Sequence, residues 1–126
     1  MPKKKSKKKM KTLHAFIVAI DNYPNPAHRL NGCKNDANAF IGYLADYCKA
    51  NGLAYNEKNL FDANATRQGV IDGFSHFKQA QEGDVCVLYY SGHGSQMAAP
   101  PEFWDEQDHR SETIVCYTAA YLVGAT

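Results

Sequence analysis

Apolar residues follow two different patterns along the chain. Residues 13–20 ("LHAFIVAI") and 85–90 ("VCVLYY") are nearly uninterrupted apolar runs, which is typical of parallel strands covered by helices on both faces. Residues 58–63 ("KNLFDA") form a shorter strand candidate. Between these runs apolar residues recur every three or four positions, and that spacing predicts helices.

Two helices follow from this spacing. The first is predicted to begin at Asn35 as its N-cap and to stop at residues 51–52 ("NG"). Its apolar stripe comprises Ala37, Phe40, Ile41, Leu44 and Cys48. The second helix is predicted to be capped by Thr66. Its inward face comprises Val70, Ile71, Phe74 and Phe77.

The order of these elements is strand, helix, strand, helix, strand, which predicts right-handed crossovers and a mostly parallel α/β sheet. Beyond it the pattern is less regular. Residues 98–109 ("AAPPEFWDEQDH") are predicted to be a loop from their prolines and charges, and residues 111–118 ("SETIVCYT") a further strand.

Charge divides the chain unevenly. The formal charge is +1, yet seven of the 14 basic residues are lysines of residues 1–11 ("MPKKKSKKKMK"), which leaves −6 on the rest. We expect residues 1–11 to be a disordered, solvated tail. A weak contact with a polyanion, driven by counterion release, is the functional alternative. Residues 12–126 are then expected to form one domain.

The cysteines argue for a reducing environment. Cys33, Cys48, Cys86 and Cys116 are widely spaced, with no CxxC pair and no zinc pattern. Three of them lie in apolar segments, where a free thiol behaves as a small hydrophobe. We therefore expect a cytoplasmic protein. No membrane span is expected either, because no apolar run approaches the ~20 residues that one requires.

A histidine between two glycines follows the last apolar run. In open α/β sheets, sites form at the carboxyl ends of the strands, and His93 stands there in "SGHG". The flanking glycines leave its imidazole uncrowded, and a histidine that titrates near neutrality suits acid–base catalysis. Taken alone, the tetrapeptide is explained more simply by a tight turn with a polar residue at its tip.

Three motifs change this balance. "FIVAIDNY", "LNGCKNDANAF" and "GDVCVLYYSGHGSQ" stand in this order within residues 13–117. Together they resemble the caspase-like cysteine peptidases, most closely the metacaspase and bacterial caspase-like (orthocaspase) branch. The resemblance implies a three-layer αβα fold around a mostly parallel sheet, incomplete at the C-terminus, with residues 12–126 as the histidine-bearing portion of the catalytic domain.

The resemblance also assigns roles to single residues. His93 matches the catalytic histidine of a Cys-His dyad, and the backbone N–H of Gly94 matches an oxyanion-hole donor. Cys33, Asp36 and Ser91 match positions that line the pocket for the substrate side chain before the cut. A carboxylate at Asp36 would select arginine or lysine there. Stabilisation of the first helical turn is the alternative role for Asp36.

The nucleophile that such a peptidase needs has no match in the sequence. In the family it lies at the end of the next parallel strand, in a "DxCHSG"-like context, and these 126 residues contain no such motif. Cys116 lies within the strand candidate 111–118 and is expected to be a core thiol, whereas Cys33 matches a pocket position. The resemblance therefore implies a truncated or frameshifted chain, or a fragment whose partner is encoded elsewhere.

The expected function is cysteine-type endopeptidase activity after arginine or lysine, on peptide or protein substrates, inactive in this chain alone and dependent on a complementing C-terminal fragment. The alternatives are a non-catalytic caspase-like module that binds a peptide or partner, and a polyanion-binding protein that acts through its lysine tail. No cofactor is required. Calcium at Asp105 and Asp108 is a further hypothesis, although a solvated acidic loop explains these residues more simply.

Overall fold

The chain builds two sheets in the computed structural model, which describes residues 10–98, 110–118 and 121–123. The described elements are, in chain order, β1 (Thr12–Ala19), α1 (Cys33–Ala50), β2 (Ala54–Phe61), α2 (Arg67–Gly73), β3 (Val85–Ser91), β4 (Gly94–Ala98), β5 (Arg110–Val115) and β6 (Tyr121–Val123). Short 3-10 segments cover Pro26–His28, Asp62–Asn64 and Phe74–Gln79.

The first sheet is parallel and has β1 at its centre, in the order β2-β1-β3. The backbone N–H of Ile20 donates to the carbonyl of Ser91 (2.9 Å) and so continues the β1–β3 pairing past both strand ends. The predicted parallel α/β sheet is confirmed. The strand expected at residues 111–118 lies elsewhere, because β5 pairs antiparallel with β4 and β6 in the second sheet.

Helices cover β1 on both faces, which gives the three-layer arrangement. One set of side chains packs toward α1, and the alternate set packs toward α2 and the 3-10 segment after it. The first set is Leu13, Ala15, Ile17 and Ala19, with Ala37, Leu44 and Cys48 from α1. The second set is Phe16, Val18 and Ile20, with Val70 from α2 and Phe77 beyond it. The stripe predicted for the first helix is therefore the face that it buries.

The second helix ends earlier than predicted. The α-helical part stops at Gly73, and a 3-10 segment carries Phe74 and Phe77. A Cβ at Gly73 would overlap the ring of Phe16, so this glycine admits a fully buried phenylalanine of β1. Phe74 is 40% exposed, which corrects its assignment to the inward face.

The prediction that β3 is covered on both faces is wrong. β3 pairs with β1 along one edge only, and among the described residues no strand follows it in the sheet. Leu88 is 52% exposed and Val85 is 42% exposed, although both belong to the apolar run that suggested full burial. The described fold thus leaves an apolar sheet edge open to solvent.

The lysine-rich segment lies mostly outside the described residues, since the structure begins at residue 10. Lys11 belongs to the fold: its ammonium donates to the carbonyl of Glu82 (2.8 Å), and its own carbonyl accepts from the N–H of Ala54 (2.9 Å). Within the described ranges, the helices are too short or too polar to cross a membrane.

A buried polar cluster joins the strand starts at the end of the sheet opposite to His93. The carboxylate of Asp84 accepts from the backbone N–H groups of Thr12 (2.9 Å) and Gln81 (2.9 Å) and from Nε2 of His14 (2.9 Å). Asn56 contacts the other ring nitrogen of His14 (3.0 Å). The hydrogen bonds from Gln81, His14 and Thr12 hold the pKa of Asp84 well below its usual range.

We predict that Asp84→Asn lowers the free energy of unfolding near neutral pH and that this deficit shrinks in acid. Because the folded pKa is depressed, the carboxylate stabilises the fold above its unfolded pKa of about 4. That contribution is lost as the pH falls from there toward the folded pKa. Urea unfolding of both proteins across this range measures the effect.

Asp46→Asn, on the exposed side of α1, is the control for removing one negative charge. A deficit in Asp84→Asn that is as large in acid as at neutral pH would contradict the assignment of the carboxylate as the stabilising group.

Candidate active site

The ends of β1 and β3 and the start of α1 lie together at one edge of the parallel sheet, the edge formed by the carboxyl-terminal ends of its strands. β1 and β3 run in the same direction, with Ala19 opposite Ser91. The chain then passes through Gly92 and His93 into β4. Residues predicted for the site from two distant sequence motifs thus lie on the same edge.

Asp21 fixes the start of α1 from outside the helix. Its carboxylate is only 5% exposed and accepts from the N–H groups of Cys33 (2.8 Å) and Lys34 (3.0 Å), which have no partner within the helix. The predicted N-cap at Asn35 is wrong, because the helix begins at Cys33 and its cap, Gly32, has no side chain to offer. Negative charge at this end also suits the helix dipole.

A second carboxylate ties the same region to the end of β2. Asp62 accepts from the backbone N–H groups of Asp21 (3.0 Å) and Asn22 (3.1 Å), and from the ammonium of Lys34 (2.6 Å). Burial alone would raise the pKa of Asp62, but the hydrogen bonds from Lys34, Asn22 and Asp21 lower it. The loop after β1 is therefore tied to α1 through the carboxylate of Asp21, and to the end of β2 through that of Asp62.

The three predicted pocket residues lie together at this edge. The Cys33 thiol is partly buried and hydrogen-bonds to Ser91 and Asp21. Burial raises the pKa of the Cys33 thiol most. The hydrogen bond with Ser91 acts in the opposite direction, and the carboxylates of Asp21 and Asp36 raise the pKa further. Asp36 lies one helical turn after Cys33 and is exposed. A cationic side chain could reach it from solvent.

The imidazole of His93 has one nitrogen committed to a backbone carbonyl. Nε2 lies 2.7 Å from the carbonyl oxygen of His28, and because a carbonyl only accepts, Nε2 carries the proton. In the neutral ring Nδ1 is then the basic nitrogen. The ring of Tyr23 lies 4.9 Å away, centroid to centroid, and bounds the imidazole on one side.

Two tyrosine hydroxyls contact the backbone of His93. Its N–H donates to the Tyr23 hydroxyl (2.9 Å), and its carbonyl accepts from the Tyr90 hydroxyl (2.6 Å). A Cβ on Gly92 would lie 2.6 Å from the Tyr90 hydroxyl and 2.8 Å from the Tyr23 hydroxyl. The first glycine of "SGHG" is thus required because the two phenols occupy the space beside it.

The second glycine of the motif, Gly94, is the first residue of β4 and has open space beside it. The ladder of β4 and β5 pairs Gly94 with Ile114, and the preceding rung joins His93 to Val115 by a backbone hydrogen bond (3.0 Å). Since antiparallel ladders alternate, the N–H of Gly94 points away from β5. Gly94 is exposed, and an added Cβ would meet only the Thr113 carbonyl at 3.6 Å.

Comparison with known proteins decides the family. Residues 12–123 match the family model of the caspase domain (peptidase family C14). The chain belongs to the caspase family. The metacaspase-7 of Arabidopsis thaliana is 30% identical over 98 residues, 75% of this chain and 24% of that protein. The metacaspase-1 of Saccharomyces cerevisiae is 34% identical over 92 residues, 65% of this chain and 20% of that protein.

A solved structure from Geobacter sulfurreducens agrees with the fold. It superposes with a TM-score of 0.65 at 28% identity and covers 89% of this chain and 41% of that one. The caspase-family chain therefore spans about a quarter of the curated relatives it matches, or less, and under half of the solved structure. Its resemblance to the metacaspases is confirmed at the level of family and fold.

Three of the four thiols of this caspase-family chain, those of Cys33, Cys48 and Cys116, have a raised pKa. Burial raises the pKa of the Cys116 thiol, against the opposing effect of Arg67, and Cys116 is fully buried, as expected of a core thiol. Cys48 lies on the buried face of α1, and burial also raises its pKa. Cys86 is exposed, but it lies opposite His14 in the register of β1 and β3, at the far end of β3 from His93. A reactive cysteine needs a lowered pKa.

Sequence reasoning missed the residues that hold this site together, among them Asp21, Tyr23 and His28. These three residues carry internal hydrogen bonds of the site. Tyr23 stood inside a quoted motif, and its neighbour Asp21 ended an apolar run. Their partners are 12 to 92 residues away, so no local pattern identifies them. Asp105 and Asp108 lie outside the described residues.

We predict that Gly92→Ala destabilises the fold by about 1–3 kcal/mol, the usual cost of forcing atoms into filled space. Gly94→Ala is the matched control, since its Cβ enters open space, and we expect a change within about 0.5 kcal/mol. Urea unfolding of the two variants gives both values. Equal losses would contradict the steric account of the first glycine.

Proposed function

We propose that this chain forms the histidine-bearing portion of a caspase-like cysteine endopeptidase that cleaves after arginine or lysine. The observation that carries the proposal is the hydrogen bond from His93 Nε2 to the His28 carbonyl. It fixes the tautomer in which Nδ1 is the base, at the sheet edge where the pocket residues gather. A surface turn with a chance histidine would not need such an arrangement.

The chemistry follows from these positions. Nδ1 of His93 accepts the proton of a cysteine thiol, and the thiolate attacks the scissile carbonyl carbon. The imidazolium keeps its Nε2–H on the His28 carbonyl, which stabilises the positive charge. The Gly94 N–H, directed away from β5, donates to the oxyanion. The imidazolium then returns its proton to the leaving amine.

The thiol comes, in our proposal, from a complementing segment that pairs with β3. Two observations support this. The described thiols lie buried, have a raised pKa or stand at the far end of the sheet. The free edge of β3, with Leu88 half exposed, offers backbone groups and apolar surface to one more strand.

Selectivity for basic residues rests on Asp36. In the described structure its carboxylate is exposed, and an exposed ion pair contributes up to about 1 kcal/mol. A substrate guanidinium that is covered when the cleft is completed would gain more, because removing one partner of a desolvated pair costs several kcal/mol. Cys33 and Ser91 would line the same pocket.

A non-catalytic partner-binding module is the second candidate. The open edge of β3 favours it as much as it favours complementation, since both require a strand to pair there. Turnover separates the two. Calcium binding at Asp105 and Asp108, polyanion contact through the lysine tail, and a cytoplasmic location remain proposals that rest on the sequence.

We predict that the chain alone does not hydrolyse peptides ending in arginine or lysine, with or without calcium. A general base and an oxyanion donor without a nucleophile leave turnover about 10⁶-fold below that of a complete site. Fluorogenic peptides measure it. Robust turnover that disappears only in Cys116→Ala, or only in Cys33→Ala, would contradict the assignment of that thiol.

We predict that adding a caspase-domain segment with a DxCHSG-like motif restores cleavage, and that His93→Ala abolishes it. In the restored enzyme Asp36→Asn should lower kcat/KM for an arginine peptide, relative to a neutral one, by at least about fivefold. Asp46→Asn, on the same helix, is the control. Binding of the segment without turnover would favour the partner-binding module. Unchanged basic preference in Asp36→Asn would show that another group forms the pocket.

A further inference from the structure

The backbone of His93 is held in a way that ordinary strand pairing does not explain. The register of β4 and β5 continues to His93 and Val115, which therefore face each other. The Val115 N–H donates directly to the His93 carbonyl (3.0 Å). In a regular rung the His93 N–H would return a bond to the Val115 carbonyl.

The hydroxyl of Tyr23 bridges the two groups in place of that direct bond. The His93 N–H donates to the Tyr23 hydroxyl (2.9 Å), and this hydroxyl donates to the Val115 carbonyl (3.0 Å). Two hydrogen bonds in series span more distance than the single bond of a rung. The ladder is thus open on this side of the rung, and Tyr23 sets how far His93 stands from β5.

Tyr90 fixes the other backbone group. Its hydroxyl lies 2.6 Å from the His93 carbonyl, 2.9 Å from the Val115 carbonyl and 3.3 Å from the Tyr23 hydroxyl. Burial, and then the neighbouring Tyr23 hydroxyl, raise the pKa of Tyr90, so it remains a donor. Both backbone polar groups of His93 are therefore satisfied, by Tyr23 in the loop after β1, by Tyr90 of β3 and by Val115 of β5.

The two phenols stand on rigid supports. Tyr23 is 2% exposed and packs in the core that α2 covers, and Tyr90 belongs to β3. The Tyr23 ring also lies beside the His93 imidazole. One residue therefore constrains the backbone and the side chain of the histidine together.

We propose that Tyr23 and Tyr90 are positioning residues for His93. Tyr23 holds the His93 N–H through its hydroxyl, which in turn donates to the Val115 carbonyl, and Tyr90 holds the His93 carbonyl. Together they orient the imidazole so that Nε2 donates to the His28 carbonyl and Nδ1 is left to act as base. The catalytic consequence rests on the proposed function, whereas the relay itself does not.

Amide hydrogen exchange tests the relay in the chain as it is. We expect the His93 amide, which faces no backbone carbonyl, to be protected to within about tenfold of the Val115 amide. Exchange at the rate of an unprotected loop would overturn the relay, and this outcome needs no variant.

Tyr23→Phe removes only the hydroxyl. We expect it to accelerate exchange of the His93 amide about tenfold more than that of the Ile20 amide, since a typical hydrogen bond contributes about that factor. Tyr90→Phe should leave the His93 amide protected, because it holds the carbonyl. Tyr43→Phe, an exposed phenol on α1, is the control. Equal acceleration at Ile20 and His93 would overturn the specific role.

Kinetics of the complemented enzyme test the positioning role. We expect Tyr23→Phe and Tyr90→Phe to lower kcat about tenfold with KM within about twofold, because a displaced base slows chemistry and spares binding. Tyr43→Phe should change neither. A loss of thermal stability with unchanged kcat would overturn the role. A complemented wild type without activity would instead refute the proposed function, and amide exchange would still decide the relay.

Discussion

Burial of β1 on both faces and along both edges is the constraint on which the rest of this structure depends. Its residues from Leu13 to Ile20 are almost fully buried, so the strand cannot shift without exposing two cores at once. The residues just beyond it are therefore anchored in space. From this fixed position the Asp21 carboxylate binds the first N–H groups of α1, and the Tyr23 hydroxyl binds the N–H of His93.

Hydrogen bonds of buried polar groups thus fix the geometry of the site, although its residues lie in loops and at the ends of strands. Asp21 and Asp62 join α1 to β1 and β2, and the two tyrosines join His93 to β1, β3 and β5. Such groups are costly to bury unless each one finds a partner. Once satisfied, they specify one arrangement, which is what a base and a selectivity pocket at a sheet edge require.

Sequence patterns predicted the parallel sheet, the stripe of α1, and the placement of His93 and the start of α1 at the carboxyl-terminal end of the sheet, because these features follow local periodicity and strand order. The start of α1 was missed because its cap is Asp21, 12 residues before Cys33. The burial of β3 was overestimated because Val85 and Leu88 are apolar whether or not a strand covers them. The relay through Tyr23 depends on a contact with Val115, which no spacing rule encodes.

The resemblance contributed most where local chemistry was ambiguous. A histidine between glycines suits a turn as well as a catalyst, and the aspartate in the first turn of α1 suits helix stabilisation as well as a pocket. Family membership and the hydrogen bond from His93 to His28 now support the catalytic interpretation of the first residue. For Asp36 the exposed position is compatible with either role, and substrate selectivity distinguishes them.

The most direct measurement of the central claim is the protonation state of the His93 ring, read from its ring nitrogen chemical shifts by NMR near neutral pH. The hydrogen bond to the His28 carbonyl predicts that the neutral ring carries its proton on Nε2 and leaves Nδ1 as the base. A ring found with its proton on Nδ1, or exchanging freely between both tautomers, would contradict the account of His93 as an oriented catalytic base.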